Sequence, residues 1–86
     1  MDLSYNNISD TSILEKVKFE KLEILYLTGN KISNINIFEN VNFKELKKLD
    51  LFDNNISDIS ELEKVKLEKL EELDLGGNNI SNINIF

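Results

Sequence analysis

Residues 22–32 read L-E-I-L-Y-L-T-G-N-K-I, residues 46–56 read L-K-K-L-D-L-F-D-N-N-I, and residues 70–80 read L-E-E-L-D-L-G-G-N-N-I. Numbering slots from the opening Leu of each stretch, Leu holds slots 1, 4 and 6, Asn holds slot 9 and Ile holds slot 11. The same frame reaches the start of the chain. Asn6, Asn30, Asn54 and Asn78 fall 24 residues apart, each followed two positions later by Ile8, Ile32, Ile56 or Ile80. A fixed period of this length is the signature of stacked units, each too small to bury its own apolar face.

The slots predict what one unit does. Leu25 and Leu27 are two apart and project to one side of a short extended segment, while Ile24, Tyr26 and Thr28 project to the other. One side builds a core and the other is free of that duty. Asn at slot 9 then turns the chain, its side-chain amide donating to and accepting from backbone groups of the turn, as a buried amide must. Next come Ser12 with Glu15, Asn36 with Glu39, and Ser60 with Glu63, in equivalent slots. This spacing is a capping box and predicts a short helix in each repeat. Ile59, Leu62 and Val65 supply its buried stripe, and Leu67 and Leu70 return the core to the next strand. The expected fold is therefore α/β, a curved solenoid with short parallel strands on the concave face and short helices on the convex face.

The pattern L-x-x-L-x-L-x-x-N-x-I resembles the leucine-rich repeat family, and the resemblance covers the whole chain. The N-I-S-D-I-S phrasing at 55–60 is similar to the repeats of bacterial internalins and of the leucine-rich regulatory subunit of protein phosphatase 1. Residues 1–86 are read as one array of about three and a half repeats. Met1 falls at slot 4 and Phe86 at slot 17, with no polar cap at either end, so the expectation is a piece of a longer array.

The copies differ in one systematic way. Residues 44–47 read K-E-L-K, whereas 20–23 and 68–71 read E-K-L-E. Stacking puts equal slots of neighbouring repeats roughly 5 Å apart, so identical copies would set like charge on like charge. Instead Glu20, Lys44 and Glu68 alternate in sign, as do Lys21, Glu45 and Lys69, and Glu23, Lys47 and Glu71. Duplication of a two-repeat segment accounts for the likeness of alternate copies, but not for the sign change inside the duplicated unit.

Composition excludes several functions. The 86 residues contain no Cys and no His, which removes disulfides, thiolate or imidazole metal sites, and Ser-His or Cys-His nucleophiles. No metal, cofactor or catalytic residue is expected, and the chain is read as a non-enzyme. A formal net charge of -6, with no Arg, argues against nucleic acid and anionic membrane as partners. No apolar run approaches the roughly 20 residues of a membrane span, and Met1 leads into D-L-S-Y-N-N instead of a signal segment. The chain as written is expected in the cytoplasm. Gly76 and Gly77 lack the context of a phosphate loop and suit a turn beside Asn78. Asn7, Asn55 and Asn79 each begin N-I-S, a glycosylation acceptor pattern that recurs because the turn recurs.

Function is sought where the fold leaves the residue free, in the concave slots between the core Leu residues. Ile24, Tyr26 and Phe52 are apolar or aromatic at slots the core does not need, and Lys48, Asp50, Asp53, Glu72 and Asp74 surround them with charge. Asp50 and Asp74 share one slot on adjacent strands. They read as a solvated acidic face, as acceptors for a partner's Lys or Arg, or as a cation site. Aromatic groups flanked by charge suit a binding hot spot, although Tyr26 and Phe52 could equally be cover for the sheet. The reading is a scaffold that binds another protein or peptide through its concave face. The alternative is a structural unit that self-associates end to end, as a homo-oligomer, through exposed repeats.

Overall fold

A computed structural model of the chain describes residues 1–9, 20–35, 38, 43–59 and 67–80. Three strands form its sheet: β1 (Ile24–Tyr26), β2 (Lys48–Asp50) and β3 (Glu72–Asp74). Their order is β1-β2-β3 and both pairings are parallel. A parallel neighbour requires a long crossover connection, and the repeat supplies one between each strand and the next. Leu25, Leu49 and Leu73 are lateral partners, so the spatial register equals the sequence period. Asp2 adds a parallel bridge to Tyr26, extending the arrangement to the first repeat.

Backbone bonds carry this register past the strands. Slot 6 donates to slot 5 of the next repeat at Leu3 to Tyr26, Leu27 to Asp50 and Leu51 to Asp74, over 2.8–2.9 Å. Slot 8 donates to slot 7 of the next repeat at Tyr5 to Thr28, Gly29 to Phe52 and Asp53 to Gly76, each 2.9 Å. Beyond the Asn turn the direction reverses, with Lys31 donating to Ile8, Asn55 to Ile32 and Asn79 to Ile56. Three equivalent sets of bonds make each repeat an extension of the last, so backbone polar groups are satisfied between copies.

The turn itself is left-handed at slot 8 in all four repeats: Tyr5 and Asp53 have φ of 57°, Gly29 68° and Gly77 69°. Gly takes this conformation without the Cβ clash that costs an L-residue about 1 kcal/mol or more. Tyr5 and Asp53 bear that strain, and each side-chain-bearing turn lies next to a glycine turn. The Tyr5 ring occupies the space a Gly29 Cβ would need, and the Asp53 backbone comes within 3.0 Å of where a Gly77 Cβ would stand.

Asn at slot 9 ties these turns together. Asn54 Nδ2 donates to its own Leu51 carbonyl and to Leu27 of the preceding repeat, each at 3.0 Å, while its Oδ1 accepts from Ile32 N–H at 3.1 Å. Asn78 bonds Leu75, Leu51 and Ile56 in the same way, and Asn30 bonds Leu27, Leu3, Asn6 and Ile8. Asn30 and Asn54 are buried, and no buried side-chain N or O among the described residues lacks a hydrogen-bond partner. Asn6 is exposed and donates within its own turn, to Leu3 and Ser4.

The core lies on one side of the sheet. Leu25, Leu27, Leu46, Leu49, Leu51, Ile32 and Ile56 are buried, and Phe38 meets Phe43 edge to face with ring centroids 5.8 Å apart. Each buried Leu or Ile contributes about 1.5–3 kcal/mol relative to exposure. The central repeat is the most complete, because Leu49 and Leu51 have a neighbour on each side, while Leu73 and Leu75 are partly buried. Among the described residues there is no α-helix, nor a helix long and apolar enough to cross a membrane. Apart from Phe38, the capping-box segments 12–15, 36–39 and 60–63 lie outside the described residues, as do Leu62 and Val65; Ile59, the first of that stripe, is buried.

Two charge pairs join neighbouring repeats at the ladder slots. Lys47 Nζ lies 3.1 Å from Glu23 and Lys69 Nζ 2.8 Å from Glu45. Glu23 and Glu71 flank Lys47 and hold its ammonium above the usual lysine range, the bond to Glu23 being the largest cause. Lys69 holds Glu45 below the usual carboxylate range, mainly through their hydrogen bond.

Candidate functional site

The alternation predicted for slots 3 to 6 appears as burial. Leu25 and Leu49 are buried between more accessible neighbours, so Ile24, Tyr26, Lys48, Asp50, Glu72 and Asp74 occupy the sheet face opposite the core. The register sorts them into two rows, Ile24–Lys48–Glu72 and Tyr26–Asp50–Asp74. Phe52 and Asp53 follow at the end of β2, both exposed. Ile24 is 40% and Phe52 44% exposed, and with Met1 and Tyr5 they are the large exposed hydrophobics among the described residues.

The acidic slot has an internal duty that its sequence did not reveal. Asp50 Oδ1 accepts the Phe52 amide at 2.9 Å, Asp74 Oδ1 accepts the Gly76 amide at 2.9 Å, and Asp2 Oδ1 accepts the Ser4 amide at 2.9 Å. Each carboxylate thus closes an Asx turn, which ends β2 at Asp50 and β3 at Asp74 and follows the isolated bridge at Asp2. The Ser4 bonds hold Asp2 below the usual carboxylate range. A carboxylate has about four acceptor positions, so closing the turn leaves capacity for a further donor.

Phe52 is held by Gly76, a neighbour that the sequence suited only to a turn. Its ring atoms lie 3.0 and 3.1 Å from where a Gly76 Cβ would stand, and Asp74 Oδ1 lies 3.2 Å from the same point. The missing side chain at Gly76 is the floor under the ring, and Tyr5 over Gly29 repeats the device one slot later. The available signal was a large residue preceding a glycine by one period, at Phe52 and Gly76 and at Tyr5 and Gly29.

Lys48 lies at the centre of the face. Its ammonium is 5.2 Å from the Tyr26 ring centroid on one side and 3.4 Å from Glu72 on the other. One side chain of β2 therefore links β1 to β3. Tyr26, then Glu72, hold the Lys48 ammonium above the usual lysine range. Among the described residues there is no grouping of three or more His, Cys, Asp or Glu able to hold a metal. The face offers apolar surface, carboxylate acceptors and one ammonium, which suits non-covalent recognition.

Comparison with known families agrees with the period. The family model described as leucine rich repeats (2 copies) matches residues 44–86, half of the chain, and that described as leucine rich repeat matches residues 21–41. The chain belongs to the leucine-rich repeat family. Leucine-rich repeat domains are generally protein–protein interaction modules and are typically non-enzymatic. No curated protein matches the chain. In this leucine-rich repeat chain the Leu, Asn and Ile slots are absorbed by core and turn. Ile24, Tyr26, Lys48, Asp50, Phe52, Asp53, Glu72 and Asp74 lie outside that frame.

Proposed function

We propose that the repeats stack as a single solenoidal array and bind a partner protein or peptide through the open, concave face of the sheet. The observation that carries this is the exposure of Ile24 and Phe52 beside the Tyr26–Lys48 pair, on a face whose opposite side already satisfies the core. Ile24, Tyr26 and Phe52 lie outside the buried core cluster. Asp50, Asp53, Glu72 and Asp74 outnumber Lys48 among the charges of the face, so the complementary partner places an apolar group against Ile24, Tyr26 and Phe52 and presents Lys or Arg to the carboxylates.

A suitable probe is the capped peptide Ac-Lys-Leu-Lys-Leu-Lys-NH2, followed by NMR titration. Tyr26→Ala and Phe52→Ala weaken it by about 1–3 kcal/mol, mainly through faster dissociation, with little change in melting. Asp74→Asn lowers the association rate and its salt dependence, since that carboxylate steers encounter. Glu68→Gln removes the same charge off this face and serves as the control. If Glu68→Gln weakens the probe as much as Asp74→Asn, and the aromatic variants do not, the face is not the site. Sedimentation of the free chain over a dilution series separates this reading from end-to-end assembly, which predicts growth in mass without any peptide.

A further inference from the structure

Lys48 stands where the proposed partner has to make contact. Its register partners are Ile24 on β1 and Glu72 on β3, and its ammonium lies 5.2 Å from the centre of the Tyr26 ring and 3.4 Å from the Glu72 carboxylate. An aromatic face with a carboxylate across from it stabilises a cation from two directions, by the ring quadrupole and by charge. In the free chain the cation is intramolecular.

We propose that Tyr26 and Glu72 form a seat for one cationic side chain of the partner, a lysine ammonium or an arginine guanidinium, and that Lys48 is the resident cation which the partner displaces. This rests on the concave-face reading above. Lys48 has a long flexible stem and its side chain is 34% exposed, so it can leave without disturbing the core. Exchange of one cation for another leaves the charge of the seat unchanged and gives little net gain. A ligand offering positive charge alone therefore competes poorly, and one that also brings an apolar group to Ile24 and Phe52 succeeds. Lys48 thereby sets specificity, turning an acidic surface that would attract any polycation into one that demands an anchor.

The test compares the parent chain with Lys48→Met, which keeps the apolar stem and removes the charge, using Ac-Lys-Leu-Lys-Leu-Lys-NH2 and its anchorless counterpart Ac-Lys-Gly-Lys-Gly-Lys-NH2. With the competitor gone, both peptides bind Lys48→Met about three- to tenfold tighter, the scale of an exposed cation–π contact plus an ion pair. Adding Glu72→Gln cancels most of that gain. In the parent chain the Lys48 ε-methylene protons, shifted upfield by the Tyr26 ring, move to the position they have in Tyr26→Ala as the Leu peptide saturates. If the Leu peptide binds the parent in a Phe52-dependent manner while the Lys48 resonance stays put and Lys48→Met binds no tighter, the seat is overturned and the face reading stands. If Lys48→Met gains affinity for both peptides but Phe52→Ala changes nothing, the seat stands and the apolar anchor falls. Absence of binding to either chain overturns both.

Discussion

The Asn ladder gives the most quantitative prediction, because its bonds can be assigned to within-repeat and between-repeat partners. Asn54→Ala removes four contacts: donation to Leu51, to Leu27 and, at 3.3 Å, to Phe52, and acceptance from Ile32. The two Leu carbonyls are not stranded. Leu27 keeps Asn30 as a donor at 2.9 Å and Leu51 keeps Asn78 at 3.0 Å, so each loses about 0.5–1 kcal/mol. Ile32 N–H, in a fully buried residue, loses its acceptor and bears the larger penalty of about 1–3 kcal/mol. The total is about 2–5 kcal/mol, a large share of the stability of a small domain. Asn6→Ala is the matched control, since the Asn6 side chain is exposed and, among the described residues, donates to Leu3 and Ser4 of its own turn. Its cost is within about 1 kcal/mol. Urea denaturation followed by circular dichroism measures both, and the m-value reports whether the array still unfolds as a unit. Equal losses at Asn54 and Asn6 would refute the claim that the ladder works by joining repeats.

Reversing the central charges, with Lys44→Glu, Glu45→Lys and Lys47→Glu together, makes the chain two charges more negative and sets like charge on like charge along all three ladders; melting temperature falls at low salt, and the gap from the parent narrows in 1 M NaCl as screening sets in. Glu45 has a lowered folded-state pKa, so its contribution is fully present above the ordinary Glu range and is lost as pH falls through the folded value. The stability gap between the parent and Glu45→Gln should accordingly close in acid, and a gap independent of pH would remove the ion pair as its cause. Gly77→Ala combines a left-handed φ with a Cβ 3.0 and 3.1 Å from the Asp53 backbone and costs about 1–3 kcal/mol in thermal or urea melts. Gly76→Ala instead meets a movable ring, so it leaves melting near the parent value while shifting the Phe52 ring resonances and weakening the Lys-Leu peptide.

Period and slot chemistry were sufficient for the strands and the Asn turns, while the capping-box segments lie outside the described residues apart from Phe38. A fixed interval of 24 residues implies equal neighbours side by side, and the sheet pairs Leu25, Leu49 and Leu73 in that register because any slip would turn core Leu residues to solvent. The Asn turn was equally readable, since a polar amide fixed among buried Leu and Ile slots has only backbone groups to bond. The sign alternation anticipated contacts at Lys47–Glu23 and Lys69–Glu45. The residues expected opposite the core do lie on that side of the sheet, yet their internal bonds were not foreseeable. Asp50 and Asp74 read as a solvated acidic face, as acceptors for a partner's Lys or Arg, or as a cation site, and none of these readings included the turn that each closes through Oδ1. Lys48 could have paired with Asp50, two residues away on its own strand, and instead reaches sideways to Tyr26 and Glu72. Phe52 could have stood free in solvent, but its ring lies over the space that Gly76 leaves empty. The physical difference is one of degrees of freedom. A repeat constrains backbone position through a period that every copy shares, whereas a surface side chain chooses among several partners within reach. That choice depends on rotamer, on turn closure and on the size of the residue in the next repeat, and these meet only when the copies are stacked.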